Sequence, residues 1–359
     1  WCRMEVYLQC CIAIILFSIF MKVLEGFVRR VKLPDRVLKW KEQGHFFNWN
    51  LETGKPCKIF YRDSAPNETN KPILILLHGF PTSSWDWNHI WDSISQREWR
   101  VIAPDFFGYG FSDKPSSKKL YYDSIVRQAD MLEDLLAEIT GTIRTSVFIL
   151  AHDYGDSVAQ ELLHRSIQSS RENASRIKVK SVCFLNGGLI PGVHRPVFIQ
   201  KVLASPIGFI ITRFTNRRIF GNRFSGVFGV KPSKQELDEY WSIIVHNSGA
   251  VIQHCLIQYM EERVRNKTTW VDALRHEKTP LCLIDGPCDP VSGIHLAEAV
   301  ADIWEIEPCT ASADPVEMGK RKVIILPNQF GHYPQVECPS MVLSHFYNFM
   351  ESNFPEFAQ

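Results

Sequence analysis

The chain has 359 residues, of which 45% are hydrophobic and 22% are charged, and its net formal charge is +1. A chain of this length can bury a large core and suits one large domain, or one domain with an insertion, while the near-zero net charge argues against a nucleic-acid-binding surface. The ten cysteines form no CxxC pair and no regular spacing, so the sequence predicts reduced thiols rather than a disulfide framework or a zinc site.

The N-terminal residues 6–21 form an uncharged apolar run. This run is short for a spanning helix, which needs about 20 apolar residues, but Lys22 can snorkel and extend the span to residue 24. A cleaved signal peptide would need a basic n-region and a small-residue cleavage site, and neither is present. A helix packed on the domain is the other alternative. We predict an uncleaved single-pass anchor within residues 1–30 that contacts membrane lipid.

The flank that follows this run carries seven basic residues: Lys22, Arg29, Arg30, Lys32, Arg36, Lys39 and Lys41. The positive-inside rule predicts that this flank, and the domain after it, lie in the cytosol. Three Asn-x-Ser/Thr sequons, at Asn67, Asn173 and Asn266, favour the opposite topology because they would be used only in a lumen. Such triplets are frequent by chance, so the charge flank decides the prediction.

Six short apolar runs predict buried strands, at residues 73–77, 100–103, 147–150, 182–185, 281–284 and 323–326. Runs of this kind, without alternation, are typical of strands buried on both faces of a parallel sheet. Helix-like patterns lie between most of them, for example at residues 125–139. The alternation predicts an α/β fold with a mostly parallel, doubly wound sheet.

One interval breaks this alternation, because residues 195–274 contain no buried-strand run. Helical patterns fill it, at residues 236–244 and 251–262, so we predict a helical cap over the carboxyl edge of the sheet. The predicted organisation is therefore an anchor and basic flank, a first core segment, the cap and a second core segment, at residues 1–30, 45–194, 195–274 and 275–359. Residues 304–319 are predicted to form a surface loop without a function.

The stretch "AHDYGD", residues 151–156, follows the third predicted strand and precedes a helical pattern. Small residues flank Asp153 at the spacing of a nucleophile elbow, where serine is the usual occupant. Asp289 follows the fifth predicted strand and His332 follows the sixth. Nucleophile, acid and histidine in this order at strand ends predict a catalytic triad, although each residue alone is more often structural.

The turn "HGFP", residues 78–81, follows the first predicted strand. The Phe80 N–H in this turn and the N–H of Tyr154, the residue directly after the elbow aspartate, can point at the same site. Two converging N–H donors form an oxyanion hole. The alternative is an ordinary Gly-Pro turn.

Six stretches carry a family resemblance: "LLHGFPTSSWDWNHIW", "DFFGYGFSDKP", "AHDYGDSVAQELLHR", "LNGGLIPGVHRP", "GPCDPV" and "GHYPQVECP". From about residue 46 to residue 354 the chain resembles the α/β-hydrolase superfamily, in the branch of epoxide hydrolases and haloalkane dehalogenases. The resemblance implies an α/β-hydrolase fold with a helical cap, catalysis without a cofactor or metal, and a location at the endoplasmic reticulum membrane.

An aspartate at the elbow attacks a different kind of carbon from the acyl carbon that a serine attacks. It can attack a saturated carbon that carries a strained or leaving group, which forms an alkyl ester of Asp153. His332 would then activate water to hydrolyse the ester, and Asp289 would orient the imidazole. Ser157 lies a helical turn beyond the elbow, so a serine esterase is disfavoured.

The resemblance also bears on the leaving group. The dehalogenases hold the halide with an Asn and a Trp, and Phe80 and Tyr154 occupy those positions here. The epoxide hydrolases have an HG-x-P turn, which residues 78–81 satisfy, and cap tyrosines that donate to the epoxide oxygen. Tyr259 in "LIQYMEERV" and Tyr240 are the candidates, and either ring could simply pack in the cap.

The sequence thus predicts a membrane-anchored hydrolase that acts with water on an epoxide or another small lipophilic substrate. A lipid-directed esterase or acyltransferase of the same fold is one alternative. A catalytically weak binding protein that kept the fold is another, because a fold alone does not prove activity.

Overall fold

The computed structural model describes residues 31–51, 56–114, 124–172, 176–276, 278–311 and 319–357, and the single residues 7, 9, 12 and 16. Apart from those four positions, the membrane helix predicted at residues 6–24 lies outside the described residues. No helix in the described ranges is both long and apolar enough to span a bilayer.

Within the described residues the strands form one nine-stranded sheet, with the strand order β1-β2-β4-β3-β5-β6-β7-β9-β8. Strands β1 and β2 pair antiparallel, β2 joins β4 antiparallel, and every other pairing is parallel. The prediction of a mostly parallel sheet is therefore confirmed. The strands are β1 (His45–Asn50), β2 (Pro56–Asp63), β3 (Ile73–Leu77), β4 (Arg100–Pro104), β5 (Thr145–His152), β6 (Ile177–Leu185), β7 (Leu281–Asp285), β8 (Cys309–Thr310) and β9 (Arg321–Ile325).

Fourteen α-helices lie in the described ranges: α1 (Asp35–Glu42), α2 (Trp91–Ser95), α3 (Ile125–Thr140), α4 (Tyr154–Glu172), α5 (Phe198–Ala204), α6 (Gly208–Phe214), α7 (Arg217–Phe224), α8 (Lys234–Ile244), α9 (Gln253–Leu256), α10 (Tyr259–Arg265), α11 (Lys267–Leu274), α12 (Ile294–Trp304), α13 (Pro334–Glu337) and α14 (Pro339–Asn353). Helix α3 shows how local chemistry sets such bounds. The Ser124 side chain accepts the Arg127 N–H at its start, and Gly141 ends it in the left-handed conformation.

Side chains of the central strand β3 alternate between two apolar cores, one on each face of the sheet. Ile73, Ile75 and Leu77 join the core formed with α3, α4 and α12. Leu74 and Leu76 join the core formed with α1, α2 and α14. All five side chains are buried, so the strand has no polar face and its sequence shows no alternation.

The segment between β6 and β7 is helical, as the sequence predicts for residues 195–274. Its last helix, α11, packs against core helix α4, where the Trp270 indole donates to the Glu161 carboxylate (2.8 Å). The prediction of a single helix at residues 251–262 is wrong. A 3₁₀ segment (His246–Ile252) and the separate helices α9 and α10 occupy this interval. The Gln258 side chain, between those helices, donates to the Ala204 carbonyl at the end of α5, so tertiary contacts favour the break.

The sequence patterns missed three strands, all at the edges of the sheet. β1 and β2 pair with each other and extend one edge through β4, and two-residue β8 ends the other edge. β8 lies within the predicted loop at residues 304–319, of which residues 312–318 are outside the described ranges. Six cysteines in the described ranges carry free thiols: Cys57, Cys183, Cys282, Cys288, Cys309 and Cys338.

Candidate active site

The turn between β5 and α4 holds Asp153 in the left-handed conformation, with φ of 50°. This conformation is strained for a non-glycine residue and costs about 1–3 kcal/mol, and it presents the carboxylate above the carboxyl edge of the sheet. Gly155 allows the close approach that the turn requires, since a Cβ there would lie 2.4 Å from the Leu77 carbonyl oxygen.

Two groups from distant parts of the chain face the two oxygens of the Asp153 carboxylate. The Phe80 backbone N–H donates to Oδ1 at 2.8 Å. The His332 Nε2 lies 3.6 Å from Oδ2. One oxygen is therefore held by a backbone donor, while the other faces the imidazole.

Asp289 completes the group at the far side of the imidazole. The His332 Nδ1 lies 2.7 Å from Asp289 Oδ2, which fixes the tautomer because a carboxylate can only accept. The Asp289 carboxylate also accepts the Val291 N–H (2.7 Å) and the Asn186 side-chain amide (3.3 Å). The structure thus brings Asp153, His332 and Asp289 together, with the imidazole between the two carboxylates, and all three are buried.

The charges in this group support one another. Burial alone would raise the pKa of the Asp153 carboxyl, but His332 and the Phe80 N–H hold that pKa well below its ordinary value. Burial alone would lower the pKa of His332, but Asp289 and Asp153 raise it well above its ordinary value. Asp153 is therefore ionised at neutral pH, which an attacking carboxylate requires.

Tyr154, the second predicted oxyanion residue, is the first residue of α4 and is buried. Its N–H lies at the positive end of the helix dipole, which favours negative charge beside it. Its ring packs edge-on against the Tyr259 ring, with the centroids 4.7 Å apart.

The two cap tyrosines lie in different surroundings. Tyr259 begins α10, and burial together with the Asp153 charge raises its pKa, while Arg263 one turn later lowers it. Tyr240 in α8 packs on Phe224, and burial and the charge of Asp86 raise its pKa. Of the two candidates, Tyr259 is thus the one whose titration responds to Asp153.

Sequence reasoning missed a second buried histidine beneath the triad. His152, the last residue of β5, donates from Nε2 to the His332 backbone carbonyl at 2.8 Å. Its Nδ1 lies 3.7 Å from Asp86 Oδ2, and that oxygen accepts the Gly79 N–H (3.3 Å) in the turn that carries Phe80. His152 and Asp86 therefore lie between this turn and the loop that carries His332, and the position of His152 beside the elbow was the signal for it.

Two more buried polar residues went unnoticed. Asn186, at the end of β6, contacts Asp289 and the backbone of Gly286. Its place after a predicted strand, like that of Asp289, could have marked it. Arg263 is buried beside Tyr259, with its guanidinium carbon 5.9 Å from that ring, and no pattern in the sequence indicates its burial.

A cavity of about 130 Å³ is lined by residues of the candidate site and of the cap. Phe80, His332 and Tyr333 are the lining residues at or beside the site. Its remaining lining comes from the cap and the loops beside it and is predominantly apolar: Pro81, Val197, Ile199, Gln200, Leu203, Thr212, Thr215, Ile219, Phe220, Arg223, Phe224, Val227, Trp241, Ile244, Ala250, Gln253 and Val291. The cavity can hold a small apolar group next to the triad. Within the described ranges, no group of three or more His, Cys, Asp or Glu side chains is arranged to hold a metal ion.

Comparisons with known proteins match these features. A family model described as the alpha/beta hydrolase family matches residues 74–339. The chain is 37% identical over 325 residues to the mesoderm-specific transcript protein of Mus musculus, which covers 89% of this chain and 90% of that protein.

Solved structures share the fold at lower identity. The haloalkane dehalogenase DbeA from Bradyrhizobium elkani superimposes with a TM-score of 0.65 at 20% identity, covering 87% of this chain and 99% of that one. The epoxide hydrolase CorEH superimposes with a TM-score of 0.58 at 18% identity, covering 86% and 98%. The resemblance stated from the sequence is confirmed: this chain belongs to the alpha/beta hydrolase family and is a hydrolase.

Proposed function

We propose that the protein hydrolyses an epoxide, or a related small lipophilic substrate, through a covalent alkyl ester on Asp153. One observation carries this proposal: the elbow residue is a carboxylate, held on one oxygen by the Phe80 N–H and facing His332 with the other. The wholly buried Ser157 follows in α4 and is not at the elbow, so an acyl-serine route has no nucleophile there.

In the first step, Asp153 Oδ2 attacks a ring carbon of the epoxide, and the bond from that carbon to the ring oxygen breaks. The ring oxygen takes the proton of the Tyr259 hydroxyl, which leaves a phenolate. The buried Arg263 guanidinium beside the Tyr259 ring stabilises that negative charge. The product of this step is an ester between the Asp153 carboxyl and the substrate.

In the second step, His332 removes a proton from water, and the hydroxide attacks the carboxyl carbon of the ester. The negative charge that develops on Oδ1 is stabilised by the Phe80 N–H and the α4 N-terminus. Collapse expels the product with the former Oδ2 as its new hydroxyl oxygen, which takes the proton from His332. The carboxyl proton left on Asp153 returns to the Tyr259 phenolate, so a single water is consumed.

Ester formation prepares the second step electrostatically. The Asp153 charge raises the pKa values of both His332 and Tyr259. The ester carries no charge, so both pKa values fall when it forms. A lower pKa makes Tyr259 a better acid while the alkoxide develops, and it favours the neutral His332 that must act as base.

The cavity lining supports the substrate class. Apolar side chains predominate, and His332 is one of the lining residues, so a small lipophilic group would be bound by burial of apolar area. Phe80 and Tyr154 offer no side-chain amide or indole donor for a halide, which favours an epoxide over a haloalkane.

Turnover in ¹⁸O-labelled water tests the ester route. Over several turnovers of a lipophilic epoxide panel, we expect ¹⁸O to enter the Asp153 carboxylate, because water attacks the carboxyl carbon and the product departs with the old oxygen. Mass spectrometry of the peptide that contains Asp153 measures the label. The same incubation without epoxide is the control and should leave the peptide unlabelled. Diol formation with an unlabelled Asp153 would mean that water attacks the substrate directly.

We also propose that residues 6–24 anchor the protein in the endoplasmic reticulum membrane with the hydrolase domain in the cytosol. The uncharged run and the seven basic residues from Lys22 to Lys41 support this orientation. Deleting residues 1–26 should release the protein from microsomes and leave its activity unchanged.

Protease protection of sealed microsomes and a glycosidase gel shift test the orientation. We expect the domain to be digested without detergent, and Asn67, Asn173 and Asn266 to be unglycosylated. A protected and glycosylated domain would show instead that the domain is lumenal.

A further inference from the structure

The cap presents an unusual distribution of charge. Residues 195–235 contain eight basic residues and no acidic residue, although the whole chain is nearly neutral. Six of the eight basic side chains are exposed: Arg195, Lys201, Arg218, Arg223, Lys231 and Lys234. The cap therefore forms a locally cationic surface on a protein whose net charge is +1.

The same part of the cap exposes large apolar side chains. We define the cap face as Phe198, Ile207, Phe209, Phe214 and Ile219, which lie on α5–α7 or in their connections. All five are exposed, and Phe198 is 71% exposed. Clusters of exposed apolar side chains among polar ones mark interaction sites more often than isolated ones do.

The cap face is continuous with the active-site cavity. Ile219 belongs to the cap face and also lines the cavity. The exposed Arg223 in the same helix, α7, lines the cavity as well. His332 and Phe80 line the same cavity. A group that enters the protein from the cap face therefore needs no other surface to reach the triad.

We propose that the cap face docks on the surface of an anionic phospholipid bilayer, with its apolar side chains among the lipid headgroups and its basic residues on their phosphates. Basic residues combined with phenylalanine and aliphatic side chains are typical of elements that lie in a membrane interface. Two other occupants are disfavoured by charge: a second cap would repel this one, and residues 22–41 carry seven basic residues of their own. Docking of this kind is independent of residues 6–24 and of the reaction.

Hydrogen–deuterium exchange of the full chain tests the docking surface. The protein is reconstituted in vesicles of phosphatidylcholine, alone or with about 30% phosphatidylserine, the class of anionic lipid enriched in cytoplasmic leaflets. We expect residues 198–224 to exchange more slowly on the anionic vesicles than on the neutral ones. This difference in exchange rate should vanish at high salt. Because the exchange is read peptide by peptide, a membrane-bound N-terminus does not obscure it.

Matched double variants separate the cap charges from a general charge effect. Each basic residue near an anionic surface strengthens binding about fivefold. Lys201→Glu with Arg218→Glu should lower the equilibrium constant for docking on the anionic vesicles, taken from the protection of residues 198–224, by at least about 25-fold. Lys178→Glu with Lys320→Glu makes the same charge change at the amino edge of the sheet, where both lysines are exposed, and should leave protection unchanged.

A second pair tests the apolar part. Phe209→Ser should weaken protection, whereas Ile143→Ser should not, because Ile143 is exposed in the loop before β5 at the opposite edge. Equal exchange of residues 198–224 on neutral and anionic vesicles would overturn the proposal. Protection that needs no vesicles and rises with protein concentration would also overturn it, and would identify a second copy as the occupant.

Discussion

Replacing His332 with glutamine is expected to stop the enzyme after the first chemical step, with the substrate bound covalently to Asp153. Oδ2 keeps its attacking position, and Tyr259 still supplies the proton, so the ester forms. No base then faces the water, and turnover should fall by about 10³-fold or more. Intact-protein mass spectrometry after mixing with an epoxide should show the mass of one substrate added, and peptide mapping should locate it at Asp153.

Four companion variants make this result specific. Asp153→Ala should abolish both the adduct and turnover, because no nucleophile remains. Asp289→Asn should slow both steps less completely, since Asp289 orients the His332 imidazole (2.7 Å) and does not react. His45→Gln, at an exposed histidine of edge strand β1, should behave as the wild type. Full turnover by His332→Gln would refute the assigned base, and a loss of rate in Asp153→Asn without any trapped ester in His332→Gln would favour the esterase or acyltransferase alternative.

Replacing Tyr259 with phenylalanine is expected to slow ester formation by about 10²- to 10⁴-fold, the scale of a positioned general acid. The change removes one hydroxyl and leaves the ring, which packs on Tyr154 and Phe80. Folding should therefore survive, with the free energy of unfolding changed by about 1 kcal/mol. Single-turnover kinetics of ester formation is measured on His332→Gln and on the double variant that combines His332→Gln with Tyr259→Phe. In both variants it reports the first step alone.

Tyr240→Phe is the matched control for this prediction. Both tyrosines are buried in the cap, but the charge beside Tyr240 is Asp86 rather than Asp153. We expect less than a tenfold effect from Tyr240→Phe, because the main carboxylate that acts on its pKa is Asp86 and not the attacking Asp153. If Tyr259→Phe formed the ester at the wild-type rate, Tyr259 would be a packing residue and the epoxide would lose its proposed acid.

The strand runs and the order of the functional residues could be read from the sequence for the same reason. Strands buried on both faces need uninterrupted apolar runs, so β3, β5 and β7 could be predicted from the sequence. The residues that follow such strands meet at one edge of a parallel sheet. Asp153, Asp289 and His332 could therefore be predicted as neighbours before any distance was known. The edge strand β1 and its neighbour β2 were not predicted, because exposed positions interrupt their apolar pattern.

Only the tertiary structure decided which partners complete the site. The contacts of His152 with the His332 carbonyl, and of Asn186 with Asp289, join residues 180 and 103 positions apart, and no local pattern encodes such pairings. The break between α9 and α10 could not be predicted from the sequence either, since the apolar periodicity continues across it. Apolar periodicity shows which face of a helix is buried, and not whether the helix is continuous. The burial of Arg263 beside Tyr259 is a further case, since a charged residue in a helical pattern is ordinarily read as solvated. The sequence by itself determined the chemistry available at the sheet edge, and packing of the cap against that edge decided how it is arranged.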